Sequence, residues 1–239
     1  MSLSKLIPQV IKTPLSRFLL SKSAFISQAG QDYWVCGEVF NGKEKGFYLD
    51  IGAHDGVYIS NTYILEAKYK WSGICIEANP TTYSELKKNR NAICLNVCLD
   101  RTVGEVEFIM RDVMGGITGL DNKDSDVKDN NAVKLKTLPL IDVLDSNNAP
   151  KIIDYLSIDV EGAEERVLAE FDFQKYKFRC ITIERPSDIL RNIFKINGYV
   201  LVKELPGLDC FYVHREFIDE YMINLIAFYK SRYIGLKWK

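Results

Sequence analysis

Apolar residues along this chain fall into short runs that stop abruptly, and the runs alternate with stretches of helical spacing. Runs at 47–51, 71–76, 92–99, 152–158 and 179–183 predict buried strands of a parallel sheet. Between them, 61–69, 80–90, 139–144, 163–171 and 188–197 predict helices; Thr81 or Thr82 lies near the start of the second, and Gly198 closes the last. Residues 105–110 and 133–138 alternate in strand fashion, and the first of these is expected to extend an edge of the sheet. The last two runs, 199–205 and 209–213, are joined only by Pro206-Gly207-Leu208, and so short a turn dictates an antiparallel hairpin. The pattern is that of an α/β fold with about seven mostly parallel strands and an antiparallel hairpin at its end. Residues 111–131 form one long irregular stretch rich in Gly, Asp and Asn, with Gly115-Gly116 as its pivot. A stretch of that length reads either as a cover over a substrate site or as disorder.

The ends of the runs carry the chemistry. The first stops on Asp50 and breaks into a loop, Gly52-Ala53-His54-Asp55-Gly56. A dinucleotide site would use a G-x-G-x-x-G loop to hold a pyrophosphate, and acids there would repel it. With Asp50 before the loop and Asp55 inside it, the site suits a cofactor of positive charge, such as S-adenosylmethionine. The second run ends on Glu77, 25 residues past Gly52, where a doubly wound fold places the carboxylate that binds ribose hydroxyls. The third ends on Asp100, placed to meet an adenine amino group. Acids that close three successive strands belong to a polar edge with something to bind, because burying an unpaired charge is costly.

Three segments, Asp50-Ile51-Gly52-Ala53, Ile76-Glu77-Ala78-Asn79-Pro80 and Ser157-Ile158-Asp159-Val160-Glu161-Gly162-Ala163-Glu164, resemble the FkbM-type methyltransferase family across residues 27–214. The last segment is the most specific and the glycine loop the least. The resemblance implies a Rossmann-like class I methyltransferase that moves a methyl group from S-adenosylmethionine to an oxygen, commonly a sugar hydroxyl. Taken with the strand-end acids, the expected cofactor residues are Gln28, Asp50, Gly52, Ala53, Gly56, Asn61, Glu77, Ala78, Asp100 and Asp159. Asp159 at the end of the fourth core strand would face the methyl group, with Glu161 and Glu184 nearby as further catalytic carboxylates. These acids read as a general base for the hydroxyl, as oxygen ligands of a magnesium-like ion, or as turn and helix caps. Where many relatives carry Asn, this chain has His54, as a local substitute or a loop filler. His214, near the end of the hairpin, is a further base candidate or a surface histidine. The segment Ser27-Gln28-Ala29-Gly30-Gln31-Asp32 reads as a cofactor contact through Gln28 or as a helix cap, and Ser60-Asn61-Thr62 as a cap close to the cofactor tail.

Composition fits a single-domain cytoplasmic enzyme: 239 residues, 47% hydrophobic, 26% charged, with a net charge of −1 that gives no reason to expect nucleic acid. No apolar run reaches the roughly 20 residues of a membrane span, and no signal peptide is recognisable. Six cysteines lie mostly in apolar strand patterns and read as reduced thiols; Cys94 and Cys98 would share a face of one strand, but nothing completes a zinc site. The methyltransferase domain is expected over 27–215, between a basic amphipathic segment at 1–26 and a C-terminal helix with a basic aromatic tail at 216–239. Residues 1–31 hold Lys5, Lys12, Arg17 and Lys22 and no acid. Such ends pack on the domain, pair in a homodimer or lie on an anionic membrane. The acceptor is expected to be a small molecule or glycan. Two other functional classes stand beside this one, a nicotinamide (NAD) oxidoreductase and an inactive membrane-peripheral binding module.

Overall fold

The computed structural model describes residues 25–109, 116–117 and 132–233. The segment 1–24, most of the 111–131 stretch and the tail beyond residue 233 therefore lie outside the described residues.

Seven strands form the main sheet: β1 (Phe47–Ile51), β2 (Ser72–Ile76), β3 (Ile93–Leu95), β8 (Ile152–Ile158), β9 (Lys177–Glu184), β10 (Tyr199–Glu204) and β11 (Asp209–His214). Their order is β10-β11-β9-β8-β1-β2-β3, all parallel except β11, which runs antiparallel between β9 and β10. The chain builds outward from β1 to β3, then crosses back to lay β8 on the other side of β1. That reversal between β1 and β8 is a topological switch point, the place where open α/β sheets bind ligands at their carboxyl edge. The hairpin predicted from Pro206-Gly207-Leu208 is β10–β11, and it completes the expected mostly parallel sheet.

Alternation along β1 and β2 divides the core. Leu49, Ile51, Ile74 and Ile76 feed one apolar layer, while Tyr48 and Cys75 feed the other. The second layer is closed by α1, which opens as a short turn of α-helix (Gln31–Tyr33) and continues as a π-helix (Trp34–Val39) whose six residues are all buried. Across the sheet edge follow α2 (Tyr63–Ala67), α3 (Pro80–Asn89), α4 (Leu140–Ser146), α5 (Glu164–Leu168) and α6 (Asp188–Ile196), and α7 (Ile218–Tyr233) packs on α1. Gly37 is where they meet: a Cβ there would stand 2.3 Å from the Phe228 ring.

Four expectations are corrected. The 92–99 run is two strands, since after β3 the chain leaves the main sheet and Cys98–Leu99 (β4) enters a second one. Cys94 and Cys98 thus belong to different sheets, and all six thiols are free. The run expected to extend an edge, β5 (Gly104–Ile109), joins that second sheet instead, in the order β4-β7-β5-β6 with β6 (Gly116–Ile117) and β7 (Ala132–Leu138). Gly116 pairs with Ile109 in it and is a strand residue, not a pivot. As expected, Thr81 and Thr82 lie near the start of α3; its cap is Asn79, whose Oδ1 accepts from the Thr81 amide at 2.9 Å, with Pro80 at the first position.

Candidate active site

At the switch point β1 and β8 are stitched closely. The Asp159 amide donates to the Ile51 carbonyl at 3.0 Å, while the Gly52 and Ala53 amides both donate to Ile76 at 3.0 Å. Gly52 has φ +83°, and a Cβ on it would lie 1.8 Å from the Asp159 carbonyl oxygen, so only glycine fits. The same edge gathers left-handed backbone at non-glycine residues: His54 (+50°), Ile59 (+45°), Glu161 (+51°) and Arg185 (+39°). For β-branched Ile59 this is a true outlier, and such strain concentrates at functional sites.

Inside the loop, Asp55 Oδ1 accepts from the Val57 and Tyr58 amides at 2.9 and 2.7 Å. Burial pushes the Asp55 carboxyl up, but His54 and those two amides outweigh it and bring its pKa down to about 2. His54 Nδ1 lies 3.7 Å from Asp55, so the side chain is a partner of that acid rather than a filler. Glu77, at the end of β2, is buried and braces the loop. It accepts from the His54 amide at 2.9 Å and the Asn79 amide at 2.8 Å.

Behind the loop lies a buried network that sequence reasoning missed. Arg90, at the end of α3, turns inward. Its Nε meets Glu66 at 2.8 Å, one Nη donates to the Gly56 carbonyl at 3.0 Å, and the other donates to Tyr48 Oη at 2.7 Å and Thr62 Oγ1 at 2.9 Å. Thr62 in turn donates to Asp50 Oδ2 at 2.6 Å. Burial raises the Asp50 pKa, against the pull of Arg90 and of hydrogen bonds from Thr62 and Ser157. Asn61 joins this group by donating to Ser157 Oγ at 3.0 Å. Ser60 Oγ accepts from the Thr62 and Tyr63 amides at 3.3 and 3.1 Å in the turn that leads into α2, whose N-cap residue Thr62 makes no side-chain capping bond.

Across the switch point the carboxylates of Asp159, Glu161 and Glu184 come together, with one oxygen of each within 4.8 Å of the others. Asp159 Oδ1 is sealed from solvent and has no hydrogen-bond partner. Burial and then the neighbouring charges of Glu184, Glu161, Glu164 and Asp209 raise its pKa well above the usual carboxylate range. Arg185 Nη2 faces the group, 2.8 Å from Glu184 and 3.8 Å from Glu161. The loop-capping role open to Asp159 and Glu161 falls instead to Glu164, which accepts from the Val160 and Gly162 amides.

Of the residues expected to serve a cofactor, Asp50, Gly52, Ala53, Gly56, Asn61, Glu77, Ala78 and Asp159 lie along this edge or directly behind it. Asp100 follows β4, where Arg166 Nε binds its carboxylate at 3.1 Å. Gln28 is exposed, and the segment around it closes on itself through Asp32, which accepts from the Ile26 and Ser27 amides. His214 is neither at the site nor on the surface: β11 starts at the carboxyl edge, where Asp209 pairs with Glu184, and ends at the opposite edge with His214 buried. Arg185, Glu164 and Asp209 were missed as members of the acidic group. Asp209 alone had a signal, because the short hairpin brings its first residue back beside Glu184.

The sequence profile of the methyltransferase FkbM domain matches residues 50–201, more than half of the chain and the whole of this edge up to the hairpin. The chain belongs to the FkbM methyltransferase family. Membership of this family favours a methyltransferase reading over the nicotinamide alternative. The family implies S-adenosylmethionine as methyl donor. Among solved structures, an FkbM methyltransferase from Methylobacillus flagellatus KT is 15% identical with a TM-score of 0.48, over 76% of this chain and 48% of that one. The chain thus spans about half the length of that relative. A human methyltransferase 10 domain containing protein is 13% identical with a TM-score of 0.48, covering 90% of this chain and 99% of that one. No curated protein matches significantly.

Proposed function

We propose that this FkbM methyltransferase is an S-adenosylmethionine-dependent O-methyltransferase whose acceptor is a neutral hydroxyl compound, a sugar or glycan. The observation that carries the reading is the carboxylate group at the switch point, with Asp159 Oδ1 buried and unpaired beside Gly52. Charge also supports the cofactor. The sulfonium and ammonium of S-adenosylmethionine suit an edge where Asp159, Glu161, Glu164, Glu184 and Asp209 face a single guanidinium, that of Arg185, among the described residues.

Glu77 would take the ribose hydroxyls, because each of its oxygens keeps a lone pair beyond the one used by an amide. Gly52, Ala53 and Gly56 would let the backbone approach, and Asn61 with Asp50 would serve the amino-acid end. Ala78, Asp100 and Gln28 remain assignments by family position. Bound cofactor supplies a methyl group already activated on sulfur, so the protein's tasks are alignment, exclusion of water and removal of the acceptor proton. Asp159 is placed for the last task. Its raised proton affinity makes it a better base than an ordinary carboxylate. Arg185 fixes Glu161 and Glu184, whose carboxylates would accept from further hydroxyls of a polyol. Because Arg185 already neutralises part of the group, the base reading is preferred to the divalent-ion reading. An anionic acceptor would be repelled from this edge.

Calorimetric titration of the purified protein with S-adenosylmethionine and, separately, NAD tests the cofactor. Transfer of labelled methyl to a panel of neutral glycosides and primary amines tests the acceptor. Micromolar binding of the first cofactor alone, with label on a glycoside oxygen, is the expected result. Label on amines only would overturn the O-methyl reading, and NAD binding would overturn the cofactor.

A further inference from the structure

Of the six free thiols, only two face each other across neighbouring strands. Cys75 on β2 and Cys94 on β3 are register partners, and both pack into the apolar layer that Tyr48 feeds. Cys98, Cys180 and Cys210 lie instead beside Thr137, Tyr155 and Ile183, and Cys36 belongs to the π-helix. Neighbouring strands stand about 4.8 Å apart, inside the Cα separation of about 4.4–6.8 Å that a disulfide spans. The two thiols differ in access. Cys75 is fully buried, while Cys94 is half-buried on the edge strand, beside Ile93, which is 42% exposed. They differ in acidity too. The hydrogen bond between them, helped by Arg90 and opposed by burial, brings the Cys94 thiol below its ordinary pKa; that same bond and burial push Cys75 up. The thiolate therefore forms on the member that a reagent can reach.

We infer that Cys75 and Cys94 form a reversible thiol–disulfide site, oxidised by a peroxide and reduced by a dithiol, whose closure loosens the backbone that carries Glu77. The Cys94 thiolate attacks one peroxide oxygen, the O–O bond breaks, and the other oxygen leaves as hydroxide and is protonated to water. Cys94 is then a sulfenic acid. The Cys75 sulfur attacks the sulfenic sulfur, and its proton leaves with the hydroxyl group as a second water. The S–S bond forms, the two thiols having given up two electrons to the peroxide. Two thiol exchanges with a dithiol reverse the reaction.

The fold passes that closure to the candidate site. A disulfide needs Cβ atoms about 3.5–4.5 Å apart, closer than neighbouring strands stand, so one strand must move. β2 is held between β1 and β3, whereas β3 is a three-residue edge strand whose one strand partner among the described residues is β2. The Leu95 carbonyl accepts from the Glu77 amide at 3.0 Å, and Asn96 Nδ2 donates to the Glu77 and Ala78 carbonyls at 2.8 and 2.9 Å. A shift of β3 therefore pulls on Glu77. Its effect on cofactor binding rests on the ribose role proposed for Glu77; the cross-link does not.

The test treats the reduced full chain with hydrogen peroxide, quenches it by unfolding in excess N-ethylmaleimide, and maps tryptic peptides by mass spectrometry without reductant. Trypsin places Cys75 in 71–87 and Cys94 with Cys98 in 91–101, so only a disulfide joins the two peptides. The joined pair is expected in the wild type and in Cys98→Ser, and should be lost in Cys94→Ser and on adding dithiothreitol. Cys75→Ala should stop at a sulfenic acid on Cys94 that dimedone traps. In the oxidised wild type the Glu77 amide should lose protection from hydrogen exchange, and S-adenosylmethionine should bind about fivefold or more weakly in calorimetry. No joined pair, a pair that survives in Cys94→Ser, or oxidation of Cys94 beyond the sulfenic acid in place of the pair would each overturn the inference. So would a joined pair that leaves Glu77 exchange unchanged. Reduced protein that binds no S-adenosylmethionine, or equal affinity in both forms despite faster exchange, would count against the cofactor role of Glu77, with cross-link and exchange still deciding this inference.

Discussion

Replacing Arg90 tests whether the strained loop rests on the buried network behind it. Arg90→Met keeps much of the stem and removes the guanidinium. Glu66 then loses its ion pair, the Gly56 carbonyl and Tyr48 lose a donor, and Asp50 loses the positive charge that opposes its burial. Removing one partner of a buried ion pair costs about 3–5 kcal/mol, a large share of a domain's usual 5–15 kcal/mol. Urea unfolding followed by circular dichroism should show a loss of that size. The pH dependence sharpens the test. In the wild type, burial pushes Glu66 up but Arg90 outweighs it, so its pKa lies below the ordinary 4.5. That contribution is present above pH 4.5 and fades as pH falls through the lowered value; the variant lacks it at every pH. Asp50 sits above its ordinary 3.8 and would rise further without Arg90. Stability from a raised acid is full below the unfolded pKa and is lost as pH rises through the folded one. The Asp50 contribution therefore makes the penalty grow as pH rises, and the Glu66 contribution makes it shrink only once pH falls below 4.5. A loss under about 1 kcal/mol, or one that does not change with pH, would refute the network as the loop's support.

The other expectations concern the edge itself. Glu77→Ala should weaken S-adenosylmethionine binding by about 1–3 kcal/mol in calorimetry, and an unchanged affinity would contradict its placement on the ribose. Asp159→Asn should lower kcat by about 10²–10⁴ while cofactor affinity holds, and should abolish the limb of the pH profile that rises as Asp159 loses its proton. Equal losses in both quantities would make Asp159 a cofactor ligand only. Gly52→Ala should unfold at markedly lower temperature than Gly207→Ala. Both positions have positive φ (+83° and +77°), but a Cβ meets the Asp159 carbonyl at the first and nothing within 4 Å at the second. Similar melting points would remove the close approach of β1 and β8 as a constraint.

What could be read from the sequence was set by repetition and by strand ends. Parallel strands buried on both faces leave unbroken apolar runs, and the residue at which each run stops is the one that reaches the polar edge. Asp50, Glu77, Asp159 and Glu184 were visible for that reason. The 92–99 run misled because two adjacent short strands in different sheets look like one long strand until their partners are known. The π-helix at Trp34–Val39 had no readable period, since its residues are buried on all sides. Arg90 was hidden more deeply. At a helix end a basic residue ordinarily serves the dipole and faces water, and only the joint presence of Glu66, Tyr48, Thr62 and the Gly56 carbonyl makes an inward turn favourable. Arg185 shares this logic, because its value lies in acids from β8 and β9 that adjoin only in the fold.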